Sequence, residues 1–97
     1  MQTLVLTIYF KDNLKDSLVD MLLEDGFDDF FYHQCSKYAS TSLLTSPKEQ
    51  VSGRQEYGVF QISLSQDNAK FLVNKILQAF GRDAIRIFKS TLESYKL

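Results

Sequence analysis

Hydrophobic period alternates along this chain between two and about 3.6 residues, and the order of the changes leaves few folds open. From Thr3 to Phe10, Leu4, Leu6, Ile8 and Phe10 alternate with Thr3, Val5, Thr7 and Tyr9, the pattern of a strand with one buried face. Past Asp12 and Asn13, whose side-chain oxygens suit an N-cap, Leu14, Leu18, Met21 and Leu22 recur at helical spacing. Gly26 predicts the helix end, because a left-handed residue beyond the last turn is easiest for glycine.

The aromatic-rich run from Phe27 to about Ala39 predicts a second strand. Ser40 to Gln55 is a polar connection that carries the single proline. Within it, Ser46, Pro47, Lys48 and Glu49 read as a capping box and predict one helical turn. Connections of this length in a compact domain are usually functional. Tyr57 to Leu64 predicts a third strand, with Phe60, Ile62 and Leu64 on one face. Ser65 or Asp67 then caps a helix striped by Ala69, Leu72, Val73, Ile76 and Phe80, and Gly81 stands just past its end. Ala84 to about Ser90 predicts the last strand.

Strand, helix, strand, strand, helix, strand is the split βαβ order, so the expected class is α+β, ferredoxin-like βαββαβ. Right-handed crossovers place both helices on one face of a four-stranded antiparallel sheet. A length of 97 residues leaves room for one core, and residues 1–97 are read as a single domain. Val5, Tyr9, Tyr57, Val59 and Phe88 then point away from the helices, and so apolar a face marks an interface or a ligand platform.

Eleven basic against twelve acidic residues, a net charge of −1, give no long-range field for nucleic acid or anionic lipid. The one cysteine, Cys35, has no internal disulfide partner, and MQTLVLTIYF lacks the features of a signal peptide. A cytoplasmic location is the expectation. Membrane insertion is not, because no apolar run reaches the ~20 residues of a span.

The residues argue against an enzyme. Acylphosphatase, which shares this topology, places a glycine-rich anion cradle with an arginine after its first strand, whereas here the junction reads Tyr9, Phe10, Lys11, Asp12, Asn13. His33 and Cys35, two apart on a strand, share a face and are the candidate metal ligands, although a closed site needs further donors. Arg54, Gln55, Glu56, Tyr57, Gly58, Val59, Phe60, Gln61 and Ile62 resemble in part the RNP1 strand of RNA-recognition domains, with Glu56 placing a negative charge beside the stacking face. Arg54 after Gly53 and Arg82 after Gly81 are candidate anion contacts.

Through this order of elements, the long connection, and the run Glu49, Gln50, Val51, Ser52, Gly53, Arg54 leading into Tyr57 to Leu64, the chain resembles the nitrogen-regulatory PII superfamily and its relative CutA. It is most similar to a small bacterial PII-like family of unassigned function. The resemblance implies a homotrimer whose sheets line the centre, with Ser40 to Gln55 in the place of the T-loop that contacts partner proteins. It also implies adenine nucleotides bound between subunits. The place of the glycine-rich phosphate loop holds Gln78, Ala79, Phe80, Gly81, Arg82, Asp83, Ala84 and Ile85. Gln50, Gly53, Arg54 and Arg82 form the expected ligand set. PII-like relatives are associated with transporter regulation and metal tolerance, which draws attention to His33 and Cys35. The expected function is a small regulatory protein that binds a small ligand or metal and signals through residues 40–55 to a protein partner such as a transporter. A CutA-like metal-tolerance protein and an RNA-recognition-like binder are the alternatives. The sequence names no cofactor.

Overall fold

The computed structural model describes residues 3–38 and 54–91. Strand β1, Thr3–Lys11, leads through a 3-10 turn, Asp12–Leu14, into helix α1, Lys15–Glu24. Strand β2, Phe31–Tyr38, is followed by β3, Arg54–Ser65, then helix α2, Gln66–Phe80, and strand β4, Ile85–Thr91. The strands lie in the order β2-β3-β1-β4, every neighbouring pair antiparallel, as the split βαβ reading requires.

Period-two alternation sends Leu4, Leu6, Ile8 and Phe10 of β1, with Phe60, Ile62 and Leu64 of β3, to one face of the sheet. There they form a single buried cluster with Leu18 and Leu22 of α1 and Ala69, Leu72 and Ile76 of α2. Both helices therefore cover the same face, here called the inner face. The opposite, outer face carries Val5, Tyr9, Tyr57, Val59 and Phe88, as register dictates.

The helix ends follow local chemistry. Phe27 N–H donates to Leu22 C=O at 2.9 Å and Gly26 N–H to Leu23 C=O at 3.1 Å, a Schellman closure in which Gly26 takes φ 83°. Ser65 caps α2, its Oγ accepting from the Asn68 N–H at 3.2 Å. The two helices are pinned together by Lys75, whose ammonium lies 2.7 Å from Oδ1 of Asp25.

Three expectations are corrected. Neither Asp12 nor Asn13 caps a helix: α1 begins at Lys15 without a side-chain cap, because the Asp12 carboxylate is engaged across the fold. The second strand starts at Phe31, not Phe27. Phe27 and Phe30 instead are partly buried aromatics packed against the edge of the core, beside Phe71 at 6.4 Å and Phe60 at 5.2 Å between ring centroids. Strand β3 begins at Arg54, so the connection is shorter at that end than Ser40 to Gln55. The capping box at Ser46 to Glu49 lies outside the described residues, as do Gln50 and Gly53.

Candidate functional site

The β2–β3 ribbon is the structural base of the long connection. Register pairs Tyr38 with Arg54, Lys37 with Gln55, and Cys35 with Tyr57, so the ladder runs up to the point where the chain leaves the described strands. At this end of the sheet β1 closes against the turn before β4 through Lys11 N–H to Ala84 C=O, 3.2 Å.

On the outer face just below this point lies a cavity of about 290 Å³. Each strand contributes to its lining: Tyr9 from β1, Cys35, Ser36 and Lys37 from β2, Tyr57 from β3, and Arg86 and Phe88 from β4. Tyr9 and Phe88 meet edge to face, 6.0 Å between centroids at 81°. The Lys37 ammonium stands 5.4 Å from the Tyr57 ring centroid. Two cations, three aromatic residues and, among the described residues, no acidic lining group make a wall suited to a planar, negatively charged ligand.

Cys35 is half-buried, and burial first, then the carboxylates of Asp12 and Glu56, push its thiol above the usual range. It is a neutral thiol at physiological pH and a poor nucleophile. His33 is exposed and shares the outer face with Cys35, paired across the ladder with Val59. The expected juxtaposition is therefore present. Among the described residues, no three His, Cys, Asp or Glu side chains gather closely enough to hold a metal ion.

Arg54 and Arg82 do not converge. Arg54 Nε lies 3.3 Å from Glu56 Oε1, two residues along the same strand face. Arg82 lines a separate trough on the helix side, over Leu6, Val73, Leu77, Ile85 and Ile87. The cations that reach the outer cavity are Lys37 and Arg86, which the glycine-flanked arginines had obscured. Strand alternation puts Lys37 on the face of Cys35 and Arg86 on that of Phe88, but it took the register, which sets Arg86 opposite Tyr9, to bring the two cations to one cavity.

Tyr57 and Val59 were expected to form an open apolar platform. They are only 5% and 2% exposed, because β3 is central and cross-strand neighbours flank both side chains. Among the described residues, the large apolar side chains that remain open on the outer face are Phe31, Phe88 and Tyr9. Tyr57 thus offers little ring face for stacking a base, which weighs against the RNP1-like reading.

Behind β2, on the inner face, Tyr32 O–H donates to Asp12 Oδ1 at 2.7 Å, and Gln34 Nε2 donates to Asp12 Oδ2 at 3.0 Å. The Tyr32 ring also receives the Lys15 ammonium at 4.5 Å from its centroid. Burial, then the Asp12 carboxylate, push the Tyr32 hydroxyl up to about 12, so it remains a donor throughout the physiological range.

No helix among the described residues is long and apolar enough to cross a membrane. No curated protein matches the sequence. Among solved structures, a DUF3240 family protein from Shewanella baltica OS155 superposes with a TM-score of 0.74 at 13% identity, covering 100% of this chain and 97% of that one. CPII from Thiomonas intermedia K12, a nitrogen regulatory PII-like protein bound to ADP, AMP and bicarbonate, gives 0.74 at 12% identity, covering 100% and 97%. Bacillus subtilis GlnK gives 0.70 at 12% identity, covering 95% and 86%. At such identities the likeness establishes the fold, which is the PII-like one. The family itself is established by the sequence, which matches DUF3240, a family of proteins of unknown function, over residues 1–95, and the chain belongs to that family.

Proposed function

We propose that this is a small, non-catalytic PII-like regulatory protein that binds an adenine nucleotide in the outer cavity and signals through residues 40–55 to a protein partner. The observation that carries the reading is the position of the cavity. Cys35 and Lys37 line it from the strand that runs directly into the connection, so an occupant touches the base of the segment that would carry the signal. Lys37 and Arg86 supply charge for a phosphate, while Tyr9 and Phe88, the more open aromatics of the lining, supply apolar walls for a ring over a floor to which the nearly buried Tyr57 contributes. A similar fold, CPII, is bound to ADP and AMP.

A volume of about 290 Å³ lies at the bottom of the range for ligand pockets, roughly 300–1,000 Å³. One copy of the chain thus supplies a floor and walls, and a second copy against the outer face completes the enclosure. Exposed Phe31 and Phe88 are the apolar contacts for it, consistent with a homotrimer.

Calorimetric titration of ADP and AMP into the wild type, Lys37→Ala and Arg86→Ala proteins tests the reading. Saturable binding to the wild type, weakened about tenfold or more by either substitution, is the expected result. Absence of binding by either nucleotide overturns it. Sedimentation at micromolar concentration tests the assembly, and a strict monomer removes the second-copy part.

A further inference from the structure

We infer that Asp12 is the positioning residue of the outer cavity: from the opposite side of the sheet, its carboxylate holds the strand that carries Cys35 and Lys37 in place. The inference rests on the nucleotide reading above and deepens it.

Among the described residues, strand β2 is an edge strand, hydrogen-bonded through its backbone to β3 alone. Its first part is anchored by Tyr32, whose ring packs at 5.4 Å from Phe60 and 6.3 Å from Phe10 between centroids. Beyond Tyr32 the inner-face side chains Gln34, Ser36 and Tyr38 are all exposed, so no core packing among the described residues restrains the part of β2 that lines the cavity. An edge strand without packing frays readily. Asp12 supplies the missing restraint.

The geometry suits that role. Tyr32 and Gln34 are two residues apart and therefore share a strand face, and one carboxylate accepts from both, one oxygen each. Cys35 and Lys37, interleaved with Gln34 and Ser36, point to the other face and into the cavity. Asp12 itself sits in the turn that ends β1, the strand that brings Tyr9 to the same cavity. The carboxylate thus ties the Tyr9 wall to the Lys37 wall without touching the occupant. It also explains why Asp12 is not spent on capping α1.

The experiment pairs amide hydrogen exchange with ADP titration on the full chain, using Asp12→Ala, Asp12→Asn and Tyr32→Phe. In the ligand-free Asp12→Ala protein, exchange over residues 34–38 and 54–57 should rise about tenfold or more, while residues 4–8 and 87–90 remain near wild type. ADP affinity should fall by a similar factor. Tyr32→Phe should weaken ADP by less, and the Asp12→Ala, Tyr32→Phe double variant by no more than Asp12→Ala alone, since both act through one carboxylate. Asp12→Asn, which can still accept and donate after side-chain reorientation, should recover part of the loss.

A uniform rise in exchange across all four strands, with ADP affinity within twofold of wild type, would mean a merely structural role and overturn the inference. If the wild type fails to bind ADP, the nucleotide reading falls. The local exchange pattern still decides whether Asp12 restrains β2, and a wild-type pattern in Asp12→Ala overturns that too.

Discussion

Gly58 lies directly beneath the ring of Phe10: a Cβ at Gly58 would stand 2.6 Å from Phe10 Cζ, and 2.9 Å from Tyr32 Cε1. Gly58 is a β-strand residue with ordinary backbone geometry, so it is glycine because two aromatic side chains cross its backbone. Phe10 in turn stacks on Phe60 at 4.7 Å between centroids, which leaves its ring little room to yield. Gly58→Ala is expected to destabilise the fold by about 1–3 kcal/mol through overpacking. That corresponds to roughly 4–8 °C of unfolding midpoint per kcal/mol in a domain of this size, readable by thermal melting. Gly26→Ala is the contrasting case. Its Cβ meets nothing within 4 Å, so its cost is that of placing alanine at φ 83°, about 1 kcal/mol.

The Tyr32 hydroxyl, pushed up to about 12 against an unfolded value near 10, gives the fold a defined alkaline response. The unfolded chain loses this proton first as pH rises. The stabilisation is therefore complete below about pH 10 and is lost as pH rises through 12. A phenolate absorbance titration of wild type minus Tyr32→Phe should show one tyrosine ionising near 12. A difference curve centred near 10 would contradict the burial of the Tyr32 hydroxyl beside the Asp12 carboxylate.

Cys35 offers a direct reporter of occupancy. Its raised pKa predicts slow alkylation by iodoacetamide at pH 8, accelerating toward higher pH. ADP at 100 times its dissociation constant should slow the reaction by up to roughly 100-fold, because the thiol lines the cavity. Mass spectrometry of the alkylated chain reads the rate, and nucleotide-independent labelling would place the ligand elsewhere.

Asp25 and Lys75 link the two helices at 17% and 38% side-chain exposure. A double-mutant cycle with Asp25→Asn and Lys75→Met is expected to give a coupling of up to about 1 kcal/mol, since a partly exposed pair is screened by solvent. The coupling should shrink at 1 M salt, where the Debye length falls to about 3 Å. Urea unfolding at two salt concentrations measures it.

Ser65→Ala removes the side-chain acceptor of the Asn68 N–H at the start of α2 and should cost about 1 kcal/mol. Thermal melting detects a loss of this size. Ser65→Asp should retain most of the stability, because its carboxylate serves the same N–H.

By itself the sequence determined the element order, the inner face, the end of each helix and the start of the second. These depend on local rules: period two for Leu4 to Phe10, helical spacing for Ala69 to Phe80, the left-handed preference at Gly26 and the hydroxyl of Ser65. Sequence also carried the likeness to the PII superfamily, through order and connection length. What the chain could not disclose locally is which side chains meet across the sheet. Asp12 looks like a cap from its neighbours alone, yet it pairs with Tyr32 and Gln34 because antiparallel register carries β2 past the end of β1. Arg82 looks like an anion contact beside its glycine, yet it faces the helix side, while Arg86 reaches the cavity through strand alternation. The strand ends at Phe31 and Arg54 were settled by pairing partners rather than by propensity. Local signals act over a few residues, whereas a site assembled from four strands is fixed only when register brings them side by side.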